Sequence, residues 1–303
     1  MTKDLPVILR EYEDYLIIIQ EKTENTVKAY LYDIMLFINF LKTKEKFKDM
    51  DVDETFINII ELKDIYSFLS YVKRERNNSA FARARKIASI KSFFKYCETK
   101  LKIIEHNVCY ELEVPKLAKR QIHYLNLEQA ELLLTDIVGR NTKRDYCILV
   151  LFLNCGLRLS ELCNIKIEDI REDTLVVRGK GNKDRTVYLN ERCMKAVNEY
   201  KKVRIKINCD YLFISERKRQ LSKREVQYIV TKNIKNKNLD TKKYSTHKLR
   251  HTTATLLHKH GNVDIRTIQK ILGHKNIGTT EVYTHVDEES LRQAVKLNPL
   301  NRK

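Results

Sequence analysis

The chain has 303 residues, enough for two ordinary domains, and its net charge of +18 makes it strongly basic. Its seven cysteines form no Cys-x-x-Cys pair, and most lie in apolar runs, so they predict reduced core residues of a cytoplasmic protein and not a disulfide framework. Because there is no signal peptide and no apolar run of bilayer length, we expect neither secretion nor membrane insertion.

The first 105 residues predict a helical domain. Apolar residues recur at spacings of three and four in four stretches, at 6–20, about 27–41, 62–74 and 79–97. Glycine is scarce and no strand pattern occurs, so the aromatic and aliphatic stripes are most simply the core of a four-helix domain at 1–105.

The positive charge is concentrated in the rest of the chain. Residues 1–105 carry 19 Lys and Arg against 17 Asp and Glu, whereas the remainder carries 39 against 23. Such a surplus is expected where a surface follows a polyanion, although a lysine-rich protein of an AT-rich genome would also show it. Charge alone leaves both interpretations open.

One stretch of the first domain, residues 73–95, is nevertheless almost single-signed, because eight basic residues face only Glu75. A charge run is usually a solvated helix face. Contact with nucleic-acid phosphates is the favoured interpretation here, and the candidates are Arg83, Arg85, Lys86 and Lys91.

Residues 106–122 contain Pro115 and lack helical periodicity, so they predict a basic linker between two domains. Lys119 and Arg120 in this linker are candidates to lie along a nucleic-acid backbone. The second domain, 123–303, begins where Asn126 and Gln129 predict a helix cap.

The second domain predicts helices with a small β-sheet, so the chain as a whole is mainly α. A helix that is apolar on nearly all sides, at about 144–154, leads into Gly-Leu-Arg. Two short apolar runs, 174–177 and 185–189, predict a hairpin around a glycine-containing connection. Further helices are expected at 190–206 and 222–236.

The connection between those last two helices, with the start of the second, is the best candidate in this domain for groove or backbone contact. No single residue in it can be assigned a base. Its candidates are Arg217, Arg219, Lys223 and Arg224.

A short, mostly helical segment gathers His247, Arg250, His274 and Tyr283. The first two are three residues apart, which places them on one helix face. Arginine fits two phosphate oxygens, and histidine can donate a hydrogen bond or accept a proton near neutral pH. A phenol, with a pKa of about 10, becomes a nucleophile only beside cations and a base. Since no carboxylate cluster with metal-ligand spacing accompanies them, the pattern predicts phosphoryl chemistry without a metal or other cofactor.

Two further motifs complete this pattern. Residues 154–162 carry Arg158, and Lys180 stands in Gly-Lys-Gly at the tip of the predicted hairpin. Together with the segment from His247 to Tyr283, they resemble the tyrosine recombinase (phage integrase) family, in particular its Xer-type members, along the whole chain.

The resemblance implies a helical SAM-like core-binding domain followed by an α+β tyrosine-recombinase catalytic domain. It implies site-specific DNA recombination through a 3′-phosphotyrosyl intermediate, with Tyr283 as the nucleophile and neither metal nor ATP. The catalytic set it implies is Arg158, Lys180, His247, Arg250, His274 and Tyr283.

Several neighbours of that set have structural interpretations. Glu161 is predicted to form an ion pair with the arginine one turn before it. His251 and His285 are predicted to shape the site without acting in it. Lys183 and Arg185, in the same hairpin as Lys180, are its alternatives for the lysine role.

The resemblance also implies partners. We expect double-stranded DNA with paired half-sites, bound by a homotetramer, or a heterotetramer with a related recombinase, on two duplexes in the nucleoid. A C-terminal helix at 287–296 has a short apolar stripe and is expected to dock on a neighbouring subunit; packing on its own domain is the alternative. The need for an activating protein partner is left open.

Two other functions are alternatives to site-specific recombination. A type IB topoisomerase shares the chemistry but works as a monomer, and a silent DNA-binding protein keeps the fold without catalysis. The intact six-residue set argues against the second, and the Xer-like layout and length argue against the first. The sequence leaves open whether the protein resolves chromosome dimers or integrates and excises a mobile element.

Overall fold

The chain folds as two compact units that divide between Arg120 and Gln121, inside the predicted linker. This computed structural model describes residues 5–116, 123–178, 184–261, 263–273 and 288–301, with the backbone alone at 288–291. Within these ranges, no helix is both long enough and apolar enough to cross a bilayer.

The first unit is helical, as its periodicity predicts. The four predicted helices are confirmed, with two differences. The first and the last each continue into a π-helical turn, and a five-residue helix too short to show periodicity lies between the second and the third. The bounds are α1 Val7–Asp14, α2 Glu24–Leu41, α3 Glu54–Asn58, α4 Leu62–Arg74 and α5 Ala80–Tyr96.

Aromatic side chains fill the core of this unit. Tyr12 of α1 meets Phe93 of α5 edge to face, with ring centroids 5.2 Å apart. Cys109 and Leu112 are buried in the same core. The first unit therefore extends beyond the predicted boundary at 105, because Cys109 and Leu112, in the stretch predicted as linker, belong to its core.

A buried ion pair joins α2 to α5. Asp33 is fully buried and accepts hydrogen bonds from the Lys86 ammonium at 2.9 Å and the Ser89 hydroxyl at 3.1 Å. The Arg85 guanidinium also bonds to this carboxylate. The expectation that Lys86 contacts DNA is wrong, because its ammonium is buried and already paired. The carboxylate that neutralises it lies on another helix, 53 residues earlier, where a local count of charges does not find it.

The second unit combines helices with one antiparallel sheet. The predicted hairpin is present, with Val177 opposite Arg185, and a two-residue strand extends it in the order β1-β2-β3. The helices are α6 Leu127–Leu134, α7 Thr142–Cys155, α8 Leu159–Cys163, α9 Glu191–Val203, α10 Lys223–Asn236, α11 Thr246–Lys259, α12 Ile265–Leu272 and α13 Glu288–Lys296, and the strands are β1 Ile170–Arg171, β2 Thr174–Arg178 and β3 Asp184–Tyr188.

The central element of this unit is α7, which is buried from Cys147 to Cys155. Neighbouring helices pack around it. The Thr253 hydroxyl of α11 donates to the Phe152 carbonyl of α7 at 2.9 Å. The predicted cap before α6 is confirmed, because the side chains of Asn126 and Gln129 each accept the other's backbone N–H. A buried α7 explains why its sequence is apolar on almost every side.

The C-terminal helix α13 packs on its own domain in the single chain. Ala294 and Val295 are buried in a cluster with Ile268 and Leu272 of α12. Just beyond the helix, the Asn298 amide donates to the Leu153 carbonyl of α7 at 3.1 Å. The sequence favoured docking on a neighbouring subunit, whereas a single chain shows the intramolecular alternative.

The buried ion pair between α2 and α5 gives a stability prediction. Asp33→Ala should lower the free energy of unfolding by about 3–5 kcal/mol, because Lys86 would stay buried without a counter-charge. Glu24→Ala is the control, since Glu24 pairs with Lys28 on the surface, where losing an exposed ion pair should change the free energy of unfolding little. Urea denaturation followed by circular dichroism measures both. Equal costs would contradict a stabilising role for the buried pair.

Candidate active site

The approach to the candidate active site is a tight turn at the end of α7. Gly156 has a left-handed backbone, with φ of 58°, which ends the helix and sends the chain toward Arg158. A side chain at Gly156 would also collide with Leu272 of α12. Glycine therefore permits both the turn and the close approach of α12, and Arg158 follows as the N-cap residue directly before α8.

A buried carboxylate, Glu161 of α8, organises the basic residues around it. Its side chain is 1% exposed and accepts from the Arg158 backbone N–H at 2.8 Å and from the Arg158 Nη1 at 2.6 Å. Its Oε2 also accepts from Arg185 Nη2 at 2.9 Å and lies 3.9 Å from Arg250 Nη1. The predicted ion pair between Glu161 and Arg158 is thus present, and Arg185 and Arg250 also lie beside the carboxylate.

The same three guanidiniums meet the C-terminal end of α12. The last carbonyls of a helix lack partners within the helix and carry the negative end of its dipole, so they attract cations. The donations run to three consecutive carbonyls: Arg185 to Ile271 at 2.5 Å, Arg250 to Leu272, and Arg158 to Gly273 at 2.5 Å. The three cations are thereby fixed directly before position 274.

Burial and neighbouring charges set the protonation states of this cluster. Burial, with the charges of Arg158 and Arg185, lowers the pKa of Arg250 to about 10, so the guanidinium remains charged at neutral pH. Burial alone would raise the pKa of Glu161, but the Arg185 charge and the hydrogen bonds from Arg158 outweigh it and lower that pKa. The cluster therefore carries net positive charge, as a phosphate site requires.

His247 lies on the exposed side of α11 and contacts His251 one turn later. Their Nε2 atoms are 3.1 Å apart, with the rings at 83° to each other. Partial burial, followed by the nearby Arg250 charge, lowers the pKa of His247. Burial, followed by His247, lowers that of His251. Both shifts favour the neutral imidazoles, and the contact would let His251 orient His247. The role of His251 in shaping the site stays a prediction.

The motifs did not predict that Arg185 belongs to this cluster. They offered Arg185 only as an alternative to Lys180, whereas the Arg185 side chain bonds to Glu161 and to α12. A signal was available in the strand alternation, because Arg185 and the buried Val187 are two apart on β3 and share a face. That face points into the domain.

The structure brings together Arg158, His247 and Arg250 but does not describe every predicted site residue. Lys180, His274 and Tyr283 lie outside the described residues, as do His285, Lys183, Lys119 and Arg120. Among the described ones, Arg217, Arg219, Lys223 and Arg224 are exposed, Arg85 is exposed beside Asp33, and Arg83 and Lys91 are half-buried. Within the same ranges, no group of three or more His, Cys, Asp or Glu side chains could hold a metal ion.

Comparison with known proteins decides the family. The model of the phage integrase family matches residues 123–290, and that of the phage integrase N-terminal SAM-like domain matches residues 9–100. The chain belongs to the tyrosine recombinase (phage integrase) family. It is therefore a DNA strand breakage and rejoining enzyme of the Xer type, as the motifs predicted.

The chain resembles known recombinases along nearly its whole length. The chain is 50% identical to the tyrosine recombinase XerC of Caldanaerobacter subterraneus subsp. tengcongensis, over 98% of this chain and 88% of that protein. It is 30% identical to XerD of Listeria innocua, over 95% and 97%. A solved lambda integrase dimer bound to a core site matches at TM-score 0.69 and 17% identity, over 92% of this chain and 98% of that one. A XerH recombinase bound to its substrate matches at TM-score 0.66 and 22% identity, over 89% and 79%. These last two show the shared fold.

The shared carboxylate gives a prediction for this site. Glu161→Gln should lower the free energy of unfolding by about 3–5 kcal/mol at pH 7, because it leaves buried guanidiniums uncompensated. The pKa of Glu161 is lowered by folding, so its contribution is complete above the unfolded pKa of about 4.3 and is lost as pH falls through the lower folded pKa.

The difference in stability between the wild type and Glu161→Gln should therefore begin to narrow as pH falls below about 4.3, because Glu161 then takes up a proton in the unfolded wild type before it does so in the folded protein. Urea titrations at pH 7 and pH 3.5 measure it. Glu168→Gln is the control, since Glu168 is exposed and forms a surface ion pair with Lys166. A difference that stays constant with pH would contradict the buried ionised carboxylate.

Proposed function

We propose that Tyr283 attacks a DNA backbone phosphate and that Arg158, Lys180, His247, Arg250 and His274 serve that step. The observation that carries the proposal is the convergence of Arg158 and Arg250 on Glu161 and on the end of α12, immediately before His274. Two preorganised guanidiniums at this point match the two nonbridging oxygens of a phosphodiester.

The chemistry assigns a role to each residue. The Tyr283 oxygen forms a bond to phosphorus while the bond to the 5′-oxygen breaks, and Lys180 protonates that leaving oxygen. Arg158 and Arg250 stabilise the charge that builds on the nonbridging oxygens, and His247 and His274 add hydrogen bonds, one of them accepting the phenol proton. Because the phosphodiester energy is kept in the phosphotyrosyl link, the 5′-hydroxyl of a partner strand can reverse the step without ATP.

Arg250 can bind phosphate without giving up its structural bonds. Its Nη atoms donate to the carbonyls of Gly156 and Leu272, which uses two of the five N–H groups of a guanidinium. The carbonyl bonds hold the planar group in one orientation, and the remaining donors serve the substrate. Little reorganisation is then needed when charge develops on the phosphate.

The nucleophile assignment is tested by Tyr283→Phe, which removes only the attacking oxygen. The variant should form no covalent complex with a half-site whose cleaved fragment diffuses away, while its DNA affinity stays within about 3-fold, because phosphate contacts supply most of the binding energy. A denaturing gel and a gel-shift titration measure the two quantities. Tyr32→Phe, at an exposed position of α2, is the matched control. A covalently linked Phe variant would mean that another residue is the nucleophile.

The proposal extends to the assembly. Four copies, or two copies each of this chain and a related recombinase, would act on two duplexes in the nucleoid, each binding a half-site. A lambda integrase tetramer has been solved on a Holliday junction, and it shares this fold at TM-score 0.68. The exposed Arg217, Arg219, Lys223 and Arg224, with Arg83, Arg85, Lys91, Lys119 and Arg120, are the proposed DNA contacts.

Docking of α13 on a neighbour is compatible with its packing in one chain. Domain swapping exchanges an identical element between protomers and keeps its contacts. Ala294 and Val295 could therefore bury the same surface against α12 of the next subunit that they bury against their own. We propose that this exchange links the four copies when two half-sites are occupied.

The exchange is tested by Val295→Asp, which places a charge in the docking surface. Binding to one half-site should stay within about 3-fold, whereas cooperative occupation of two half-sites and recombination should be lost, because the single-site affinity depends on phosphate contacts. Val203→Asp, at an exposed valine near the end of α9, is the matched control. Equal loss on one-site and two-site DNA in gel-shift titrations would make α13 an intramolecular brace.

A further inference from the structure

Arg185 lies on β3, and its side chain leaves the hairpin to reach two other elements. Its Nη2 donates to Glu161 of α8 and its Nη1 to the Ile271 carbonyl at the end of α12. We propose that Arg185 is a positioning residue that locks Glu161 to α12, and so sets the place of Arg158 and of the chain entering His274. This inference rests on the proposed function of those two residues.

Arg185 makes its contacts with protein, and it stands outside the six-residue set that the motifs assign to the phosphate. Its side chain is 15% exposed, between the 36% of Arg158 and the 5% of Arg250, so exposure by itself does not separate its role from theirs. Both of its terminal nitrogens already hold protein acceptors. Its Nε, the side-chain atom that is buried without a partner among the described residues, lies against Gly273. The guanidinium therefore fills the space beneath the turn that leaves α12.

The hairpin itself does not depend on this side chain. β3 is held by a five-residue antiparallel ladder to β2, and Val187 and Val177 are buried in the domain core. The end of α12 has fewer supports, because its last carbonyls depend on side-chain donors. Arg185 thus supports α12 and Glu161 from the hairpin. Losing it should disturb Arg158 and Arg250, which form the arginine clamp of the proposed site, more than it disturbs the hairpin.

Small displacements in such a clamp are costly. A misplacement of about 1 Å in a catalytic group can lower a rate by roughly 100-fold without removing any substrate contact. Arg158 takes its orientation from Glu161 Oε1 and from the Gly273 carbonyl. Arg185 contacts the other oxygen of that carboxylate and the carbonyl two residues earlier on α12. Removing Arg185 therefore loosens both supports of Arg158 together.

The test compares Arg185→Gln with Arg171→Gln in the full-length protein. Both variants remove one arginine charge from the same sheet, but Arg171 is exposed on β1. Arg185→Gln should slow covalent-complex formation by about 100-fold while its half-site affinity stays within about 3-fold, and Arg171→Gln should change neither. Assays run well below the melting temperature of each variant separate this split from simple unfolding, which would lower affinity and rate together.

A second substrate decides through which residue Arg185 acts. DNA with sulfur in place of the bridging 5′-oxygen has a leaving group that needs no acid, so it should rescue Lys180→Ala. It should not rescue Arg185→Gln, because the defect lies in the phosphate clamp. Rescue equal to that of Lys180→Ala would overturn the proposal and make Arg185 a support of the hairpin lysine.

Two further results would also overturn it. A loss of DNA affinity above about 10-fold, with the log-log salt slope reduced by about 0.9, would make Arg185 a phosphate contact. An unchanged cleavage rate would remove it from the site altogether. Wild-type linkage to DNA through Tyr283 is measured in the same gel, so failure of the proposed function is visible separately from failure of Arg185.

Discussion

The catalytic domain depends on one buried carboxylate among three guanidiniums. Arg158, Arg185 and Arg250 would repel one another and resist burial if Glu161 did not lie between them. The three carbonyls at the end of α12, which carry partial negative charge, offset part of the positive charge that a single carboxylate leaves. The result is a rigid positive cluster that stays folded before DNA arrives and still presents donors to a phosphate.

Separate parts of the fold deliver these groups. The buried α7 and the left-handed Gly156 bring Arg158 to its position, α11 supplies His247 and Arg250 one turn apart, and β3 supplies Arg185. Each support is a hydrogen bond or ion pair from a rigid element, so the donors are oriented before the reaction. Strand breakage and rejoining needs this preorganisation, because negative charge builds on the phosphate during the reaction.

In the first domain a buried carboxylate also pairs with basic residues, but there the pairing makes a buried cation structural. A run of basic residues along α5 suggested a DNA-binding face, but Asp33 of α2 binds Lys86 in the interior and Arg85 at its edge. A buried cation demands a partner, and that partner makes the cation structural. Positive charge counted along a sequence therefore overstates the surface that is free to bind phosphate.

The sequence by itself determined the longer helices, the hairpin, the helix cap at Asn126 and the family, because periodicity, turn residues and motif spacing are local properties of the chain. Tertiary structure alone decided that Lys86 is buried, that Cys109 and Leu112 belong to the first core, and that Arg185 joins Glu161 and α12. It also decided that α13 packs on its own domain in a single chain. Each of these outcomes depends on a partner that is distant in sequence, 24 residues away for Arg185 and Glu161 and 53 for Lys86 and Asp33, and no local pattern records which distant group will neutralise a buried charge.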